Sequence, residues 1–368
     1  MTYALINATI FTGTEQITDK AIIIENDTIK ALVGPGSVPA EAELVDYRDY
    51  FITSGLIDLQ IAGGGGYLFS EEPTAEALDS ITESIIRSGT AGFLIVTPTN
   101  SFEAYRRIIR ILKEKSHPAV MGLHLEGPYI NEVKGGAHNT KYLKRPDKKE
   151  IKDLLDDAGG VVKMITLAPE LCDPEFIKVL TDHGVTVAAG HSNATFQEAK
   201  SGFNWGVKAI THLFNAMSPF HHRDPGLPGA AFKSESAYAS IIADGIHVDY
   251  NAVSIAKKIM KDRLYLVSDA VEENKSGAYL HTRQEDRFTL PDGTLSGSSL
   301  SMLKAVKNCV QDVGIQLDEA LRMASTYPAR LMGFTKYGYI AEGYKANLTV
   351  FNKNYEIKQV IIKGKLYL

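Results

Sequence analysis

Five titratable side chains stand at the carboxyl ends of short apolar runs. Glu126 follows His124-Leu125, His191 follows Ala188-Ala189-Gly190, His212 follows Thr211, His247 sits in Asp244-Gly245-Ile246-His247-Val248, and Asp269 follows Val267-Ser268. Two imidazoles and one carboxylate form a catalytic zinc set that leaves a fourth position to water. Such an ion lowers the pKa of water from 15.7 toward ~7. A separate carboxylate can then take a proton from water and deliver it to a leaving group. A further imidazole can polarise a carbonyl and stabilise an oxyanion. A single His or Asp at a strand end is usually a hydrogen-bonded anchor. His117, His183 and His281 are read that way, and His221-His222 is read as a solvated loop. Independent anchors, however, have no reason to share one face, so five together point to a site.

That face depends on the elements. Short strand candidates at Leu56–Ile61, Gly92–Val96, Val120–Leu125, Val162–Leu167, Val185–Ala189, Val207–Thr211, Ala239–Ile242 and Leu264–Val267 alternate with longer segments. Ala75–Ser88, Phe102–Lys115, Lys148–Ala158 and Ala252–Lys261 carry helical spacing and charge. Eight strand signals over about 210 residues give the count of a (β/α)8 TIM-like barrel, whose active sites form at the carboxyl ends of its strands. Leu300–Val313 and Leu317–Met332 supply the closing helices. A doubly wound open sheet has the same alternation, and strand order alone separates the two.

The two chain ends differ from the middle. Ala21–Glu25, a turn at Asn26-Asp27 and Thr28–Val33 read as a hairpin, and the style returns in Asn347–Phe351 and Glu356–Lys363. Neither end has enough apolar surface for a sheet of its own, so the expectation is a small discontinuous β-sandwich domain built from residues 1–53 plus 336–368, around a barrel of residues 54–335.

Composition fits this class. The 368 residues are 44% hydrophobic and 23% charged, with a net charge of −5. Without a dense basic block there is little to attract nucleic acid or anionic lipid. Two distant cysteines, Cys172 and Cys309, argue against a disulfide framework. Met1–Asn7 lacks a basic region leading into an apolar stretch, and no apolar run is long enough to span a bilayer. The expected setting is the cytoplasm.

With these residues in view, the sequence resembles the N-acetylglucosamine-6-phosphate deacetylases, a branch of the metal-dependent amidohydrolases. The likeness rests on His124-Leu125-Glu126-Gly127-Pro128, Gly190-His191-Ser192-Asn193-Ala194, Thr211-His212-Leu213-Phe214-Asn215-Ala216-Met217 and Ala243-Asp244-Gly245-Ile246-His247-Val248. Pro225-Gly226-Leu227, Thr294-Leu295-Ser296-Gly297-Ser298 and Tyr327-Pro328-Ala329 extend it along almost the whole chain. The resemblance implies Glu126, His191 and His212 as metal ligands, Asp269 as acid/base and His247 on the substrate. It places Ala137, Asn215, Ala216, Arg223, Asp244 and the Leu295-Ser296-Gly297 turn around a sugar phosphate. Arg223 also suits phosphate by its forked guanidinium, and in such families this arginine often reaches a neighbour's pocket within a homodimer. Asn131–Lys144 reads as a lid segment, from which His138 reaches the substrate or makes a structural contact.

Two departures sharpen the reading. Amidohydrolases commonly carry His-x-His at the end of the first strand, where this chain has Asp58-Leu59-Gln60-Ile61-Ala62. Ala62 offers no ligand and Gln60 only a weak one, left to orient water or a neighbouring side chain or to make a loop contact. Many dinuclear relatives also place a bridging lysine on the fourth strand, but here it ends Thr166-Leu167-Ala168-Pro169. The expectation is one divalent ion per subunit, zinc first, with Fe2+, Co2+ or Mn2+ as alternatives. The expected reaction releases acetate from N-acetylglucosamine 6-phosphate. Its rivals are hydrolysis of another N-acyl amino sugar or N-acyl amino acid, and a non-catalytic sugar-phosphate-binding protein.

Overall fold

A computed structural model describes residues 2–115 and 117–368; Met1, the first residue of the amino-terminal stretch considered above, lies outside them. Eight parallel strands run in chain order around one sheet: β1 Leu56–Ile61, β2 Thr90–Pro98, β3 Val120–Glu126, β4 Val162–Leu167, β5 Thr186–Ala189, β6 Ala209–Ile210, β7 Tyr238–Ile241 and β8 Leu264–Leu266. Sequential order with every neighbour parallel is the barrel and excludes the doubly wound sheet, in which order reverses. All six residues of β1 are buried, as expected for a strand covered on both faces.

No ladder joins β8 to β1; the seam closes through single contacts. Ile61 bridges Ala270, and the Ala62 N–H donates to the Ala270 carbonyl at 2.8 Å. Below them the buried Asp58 carboxylate accepts the Ser268 N–H at 3.2 Å and the Gln60 N–H at 3.1 Å. A side chain thus supplies the acceptor that the missing ladder would have provided.

Helices cover the barrel at the four intervening segments the sequence places, with ends shifted by one or two residues, and at three further segments, 174–182, 196–205 and 226–233. They are α1 Ala75–Arg87, α2 Phe102–Glu114, α3 Lys148–Ala158, α4 Pro174–Asp182, α5 Phe196–Trp205, α6 Gly226–Lys233 and α7 Tyr250–Met260. Thr74, Ser101, Asp147, Asp173 and Thr195 each accept an N–H of the first turn, fixing where the helices start. The expected helix Leu317–Met332 is two: at Ser325 the backbone leaves helical geometry (φ −141°, ψ −65°), separating α9 Leu317–Ala324 from α10 Thr326–Leu331, while α8 spans Met302–Asn308. Between β8 and α8 lies an element the sequence reading does not contain, a sheet of Thr282–Arg283, Arg287–Thr289 and Leu295–Ser298.

The chain ends meet. A four-stranded sheet of the amino-terminal segment faces a six-stranded sheet in which Leu348–Asn352 pairs antiparallel with Tyr50–Ser54. Tyr3, Leu5, Ile22, Ile24 and Ile29 pack with Ile52, Leu348, Val350 and Ile361 in one shared core. The predicted hairpin forms, with Asn26 in the left-handed region at φ +55°. Thr349 ties this core to the barrel, accepting the Leu56 N–H at 3.3 Å and donating to the Gly89 carbonyl at 2.8 Å.

Candidate metal centre and active site

Glu126 is the last residue of β3, and His191 and His212 lie two residues beyond β5 and β6. The backbone must turn sharply there to aim the rings inward. His191 (φ +46°), His212 (φ +34°), Phe214 (φ +79°), Ala216 (φ +48°) and Asp269 (φ +55°) all occupy the left-handed region. Non-glycine residues rarely adopt it, and such strain concentrates at functional sites. After Glu126 the chain needs Gly127 (φ +92°), where a Cβ would lie 2.1 Å from Thr99 Oγ1.

His191 Nε2 lies 3.0 Å from His212 Nε2 and 3.3 Å from Glu126 Oε1, and His212 Nε2 lies 3.1 Å from that same oxygen. All three residues are buried. His191 Nδ1 donates to the Lys134 carbonyl at 2.9 Å, so its Nε2 carries the lone pair. No such neighbour fixes His212, whose Nδ1 is buried without a partner among the described residues. Ligand atoms ~2.0–2.1 Å from a tetrahedral ion are about 3.3 Å apart. The triangle found here therefore fits a small divalent cation, and among the described residues these three form the one His/Cys/Asp/Glu group able to share an ion.

Gln60 is not a loop contact. Its amide nitrogen donates to Glu126 Oε1 at 3.1 Å and to Asp269 Oδ1 at 2.9 Å. With carboxylates on both sides, only the NH2 end can face them. Burial and the Glu126 charge raise the Asp269 carboxyl above the ordinary range. Burial pushes Glu126 the same way, but its close interactions with the His191 and His212 imidazoles prevail and hold it well below its usual value. The two carboxylates are thus set apart, one committed to the anionic form and one able to hold a proton.

These groups open into a cavity of about 370 Å³ also lined by Ala137, His138, Asn215, Ala216, His247 and the Leu295-Ser296-Gly297 turn. His247 Nδ1 donates to Asp244 Oδ2 at 2.6 Å. Asp244 also accepts the Ile246 and His247 N–H groups at 2.9 and 2.8 Å. This corrects its expected position: its oxygens are consumed by the turn and the ring, so it orients His247 and does not line the cavity. His138 lies deep in the cavity wall, against Thr99 Oγ1 at 2.8 Å and with its ring centre 4.2 Å from that of His191. Burial and the neighbouring His191 push it down to about 3, keeping it neutral.

Arg223 is not brought to the cavity; it lies exposed on the loop before α6. His281, read from sequence as an anchor, does line the cavity. His117 and His183 do not: the first packs on the Tyr367 ring, and the second bonds the Val179 carbonyl at 2.6 Å. Sequence reasoning also passed over Glu170. Its carboxylate accepts from Ser192 Oγ at 2.7 Å, the Asn193 N–H at 2.6 Å and Asn131 Nδ2 at 3.0 Å, pinning the turn that carries His191 to the 131–144 segment.

Residues 51–367 match the amidohydrolase family and residues 2–48 match the NagA composite domain. The chain belongs to the amidohydrolase family. Among its relatives in that family is the N-acetylglucosamine-6-phosphate deacetylase of Haemophilus influenzae, 36% identical over 99% of each chain. The N-acetylgalactosamine-6-phosphate deacetylase of Shewanella sp. is 33% identical over 86% of this amidohydrolase and 82% of its own length. The crystal structure of the Pasteurella multocida N-acetylglucosamine-6-phosphate deacetylase superposes with a TM-score of 0.95 at 34% identity, covering 100% of both chains. No helix among the described residues is long and apolar enough to cross a membrane.

Proposed function

We propose that this amidohydrolase hydrolyses the acetamide of N-acetylglucosamine 6-phosphate to glucosamine 6-phosphate and acetate. The observation that carries the reading is the Glu126–His191–His212 triangle with Asp269 held beside it by Gln60. A divalent ion held by Glu126, His191 and His212, zinc on the strength of its ligand set, would polarise the acetyl carbonyl and make water more acidic. Asp269 takes one proton from water as its oxygen bonds the carbonyl carbon. It returns that proton to the nitrogen as the C–N bond breaks, because an amide anion cannot leave at neutral pH. His247 lines the cavity with its Nδ1–H donated to the Asp244 carboxylate, which can balance a charged ring; in its protonated form the ring would donate Nε2–H to the developing oxyanion. Gln60 keeps the Asp269 oxygen on the ligand side of the cavity.

The phosphate contact is assigned to Arg223 across the interface of a cytoplasmic homodimer. Support comes from its exposure outside its own cavity and from its fork geometry, suited to a dianion. The Shewanella relative raises a second substrate, the C4 epimer N-acetylgalactosamine 6-phosphate. The test is acetate release from both sugar phosphates and from unphosphorylated N-acetylglucosamine, before and after chelation and with zinc, iron, cobalt or manganese restored. Faster release from N-acetylglucosamine 6-phosphate, lost on chelation, is expected. Equal rates with and without the phosphate would overturn the substrate assignment.

A further inference from the structure

The insertion between β8 and α8 places a histidine in the cavity lining that the mechanism leaves unused, just before the first strand of its three-stranded sheet. His281 is buried, with 5% of its surface exposed. Its backbone is fully engaged: its N–H donates to the Asn274 carbonyl at 2.9 Å and its carbonyl accepts the Asn274 N–H at 3.0 Å. On the ring, Nδ1 meets Ser296 Oγ at 2.9 Å, and Nε2 has no protein partner among the described residues. Buried polar side-chain atoms are mostly hydrogen-bonded, so a ring nitrogen without a protein partner calls for an explanation. Here the ring lines a cavity shared with Asn215, Ala216 and His247.

The segment carrying the ring is fastened to the barrel mouth. The Glu71 carboxylate accepts the Ala278 and Tyr279 N–H groups at 3.1 and 3.2 Å, and the Tyr279 hydroxyl donates to the Thr99 carbonyl and accepts the Asn139 N–H at 3.3 Å. The ring is therefore set in position before any ligand arrives.

Resting on the deacetylase reading above, we propose that His281 Nε2 is a specificity contact to a ring hydroxyl of the sugar, at C3 or C4, with Ser296 fixing the ring that makes it. Burial holds the imidazole down to about 4, so at neutral pH it carries one N–H and one lone pair and no charge. A neutral ring is poorly suited to the phosphate and well suited to a hydroxyl. Ser296 can donate or accept, so Nε2 can take whichever role the sugar hydroxyl leaves open. A sugar lacking that hydroxyl, or holding it on the other face, leaves Nε2 buried and unpaired, which is how polar sites discriminate strongly.

The experiment compares wild type with His281→Phe on N-acetylglucosamine 6-phosphate and on its 3-deoxy and 4-deoxy analogues. In the variant KM for the parent sugar should rise about tenfold while kcat changes less than threefold. The wild-type preference for the parent over one of the two deoxy analogues should collapse. His281→Asn, which keeps a polar side chain but cannot hold the Ser296 bond and reach the sugar together, serves if the phenylalanine variant does not fold, and the same collapse is expected. Preference retained over both analogues, or an unchanged KM, overturns the role of His281 alone. Failure of the wild type to release acetate from the parent sugar overturns the substrate reading itself, and this contact with it.

Discussion

Replacing Asp269 with asparagine removes the proton acceptor while disturbing little else. The side chains are isosteric, and the retained Oδ1 can still accept the Gln60 amide now held at 2.9 Å. Asparagine also tolerates the left-handed backbone found there at φ +55°. None of the three atoms of the ligand triangle belongs to Asp269, so metal content should stay within about a fifth of wild type. What is lost is proton transfer in both directions, at formation and at collapse of the tetrahedral intermediate. General acid–base catalysis contributes roughly 10²–10⁴-fold, about 2.7–5.5 kcal/mol of barrier. Asp269→Asn should therefore lower kcat for acetate release by at least ~100-fold without a comparable rise in KM. Steady-state kinetics with elemental analysis on the same preparations decide it. A kcat within tenfold of wild type refutes the role; metal lost in step with activity would make Asp269 a ligand instead.

Other perturbations separate neighbouring roles. His191→Ala should strip the ion, with metal content and activity falling together, because one corner of the triangle, with its 3.0 and 3.3 Å edges, is gone; elemental analysis checks it, and a fully loaded variant would exclude His191 as a ligand. Arg223→Ala should lower kcat/KM at least tenfold on the 6-phosphorylated sugar and far less on the unphosphorylated one; parallel kinetics on both read it, and equal losses would refute a phosphate role. Burial pushes the Asp58 carboxyl up to about 7 against an ordinary ~3.9. Between those values the folded protein holds a proton that the unfolded chain has released, so stability falls as pH rises through that window. Relative to Asp58→Asn, wild type should lose on the order of a few kcal/mol. Thermal midpoints of both proteins from pH 5 to 8 check it, and parallel curves would refute it.

The barrel was legible because its strands are apolar runs buried on both faces, from Leu56-Ile57 through Tyr265-Leu266. Their order was not, since parallel pairing is set by helices crossing above the sheet rather than by anything local to a strand. The break at Ser325 escaped notice for a related reason: Leu317–Met332 keeps an apolar face throughout, and periodicity does not register one residue leaving helical geometry. The insertion after β8 has strands of two to four residues with mixed polarity, below the length at which alternation carries information.

The same division runs through the site. Glu126, His191, His212 and Asp269 could be found because each ends a recognisable strand, and the barrel itself converts that position into proximity. His281 and Glu170 could not, because each reaches the centre through contacts made far along the chain: Ser296 for one, and Ser192, Asn193 and Asn131 for the other. Asp244 lies between these cases. Its spacing from His247, three residues across a turn containing Gly245, is a local signal for a carboxylate that orients an imidazole. Strand ends thus determine which groups can meet. Loops determine which hydrogen each ring presents and which oxygen remains free, and this second layer is where the contacts proposed for His281 would arise.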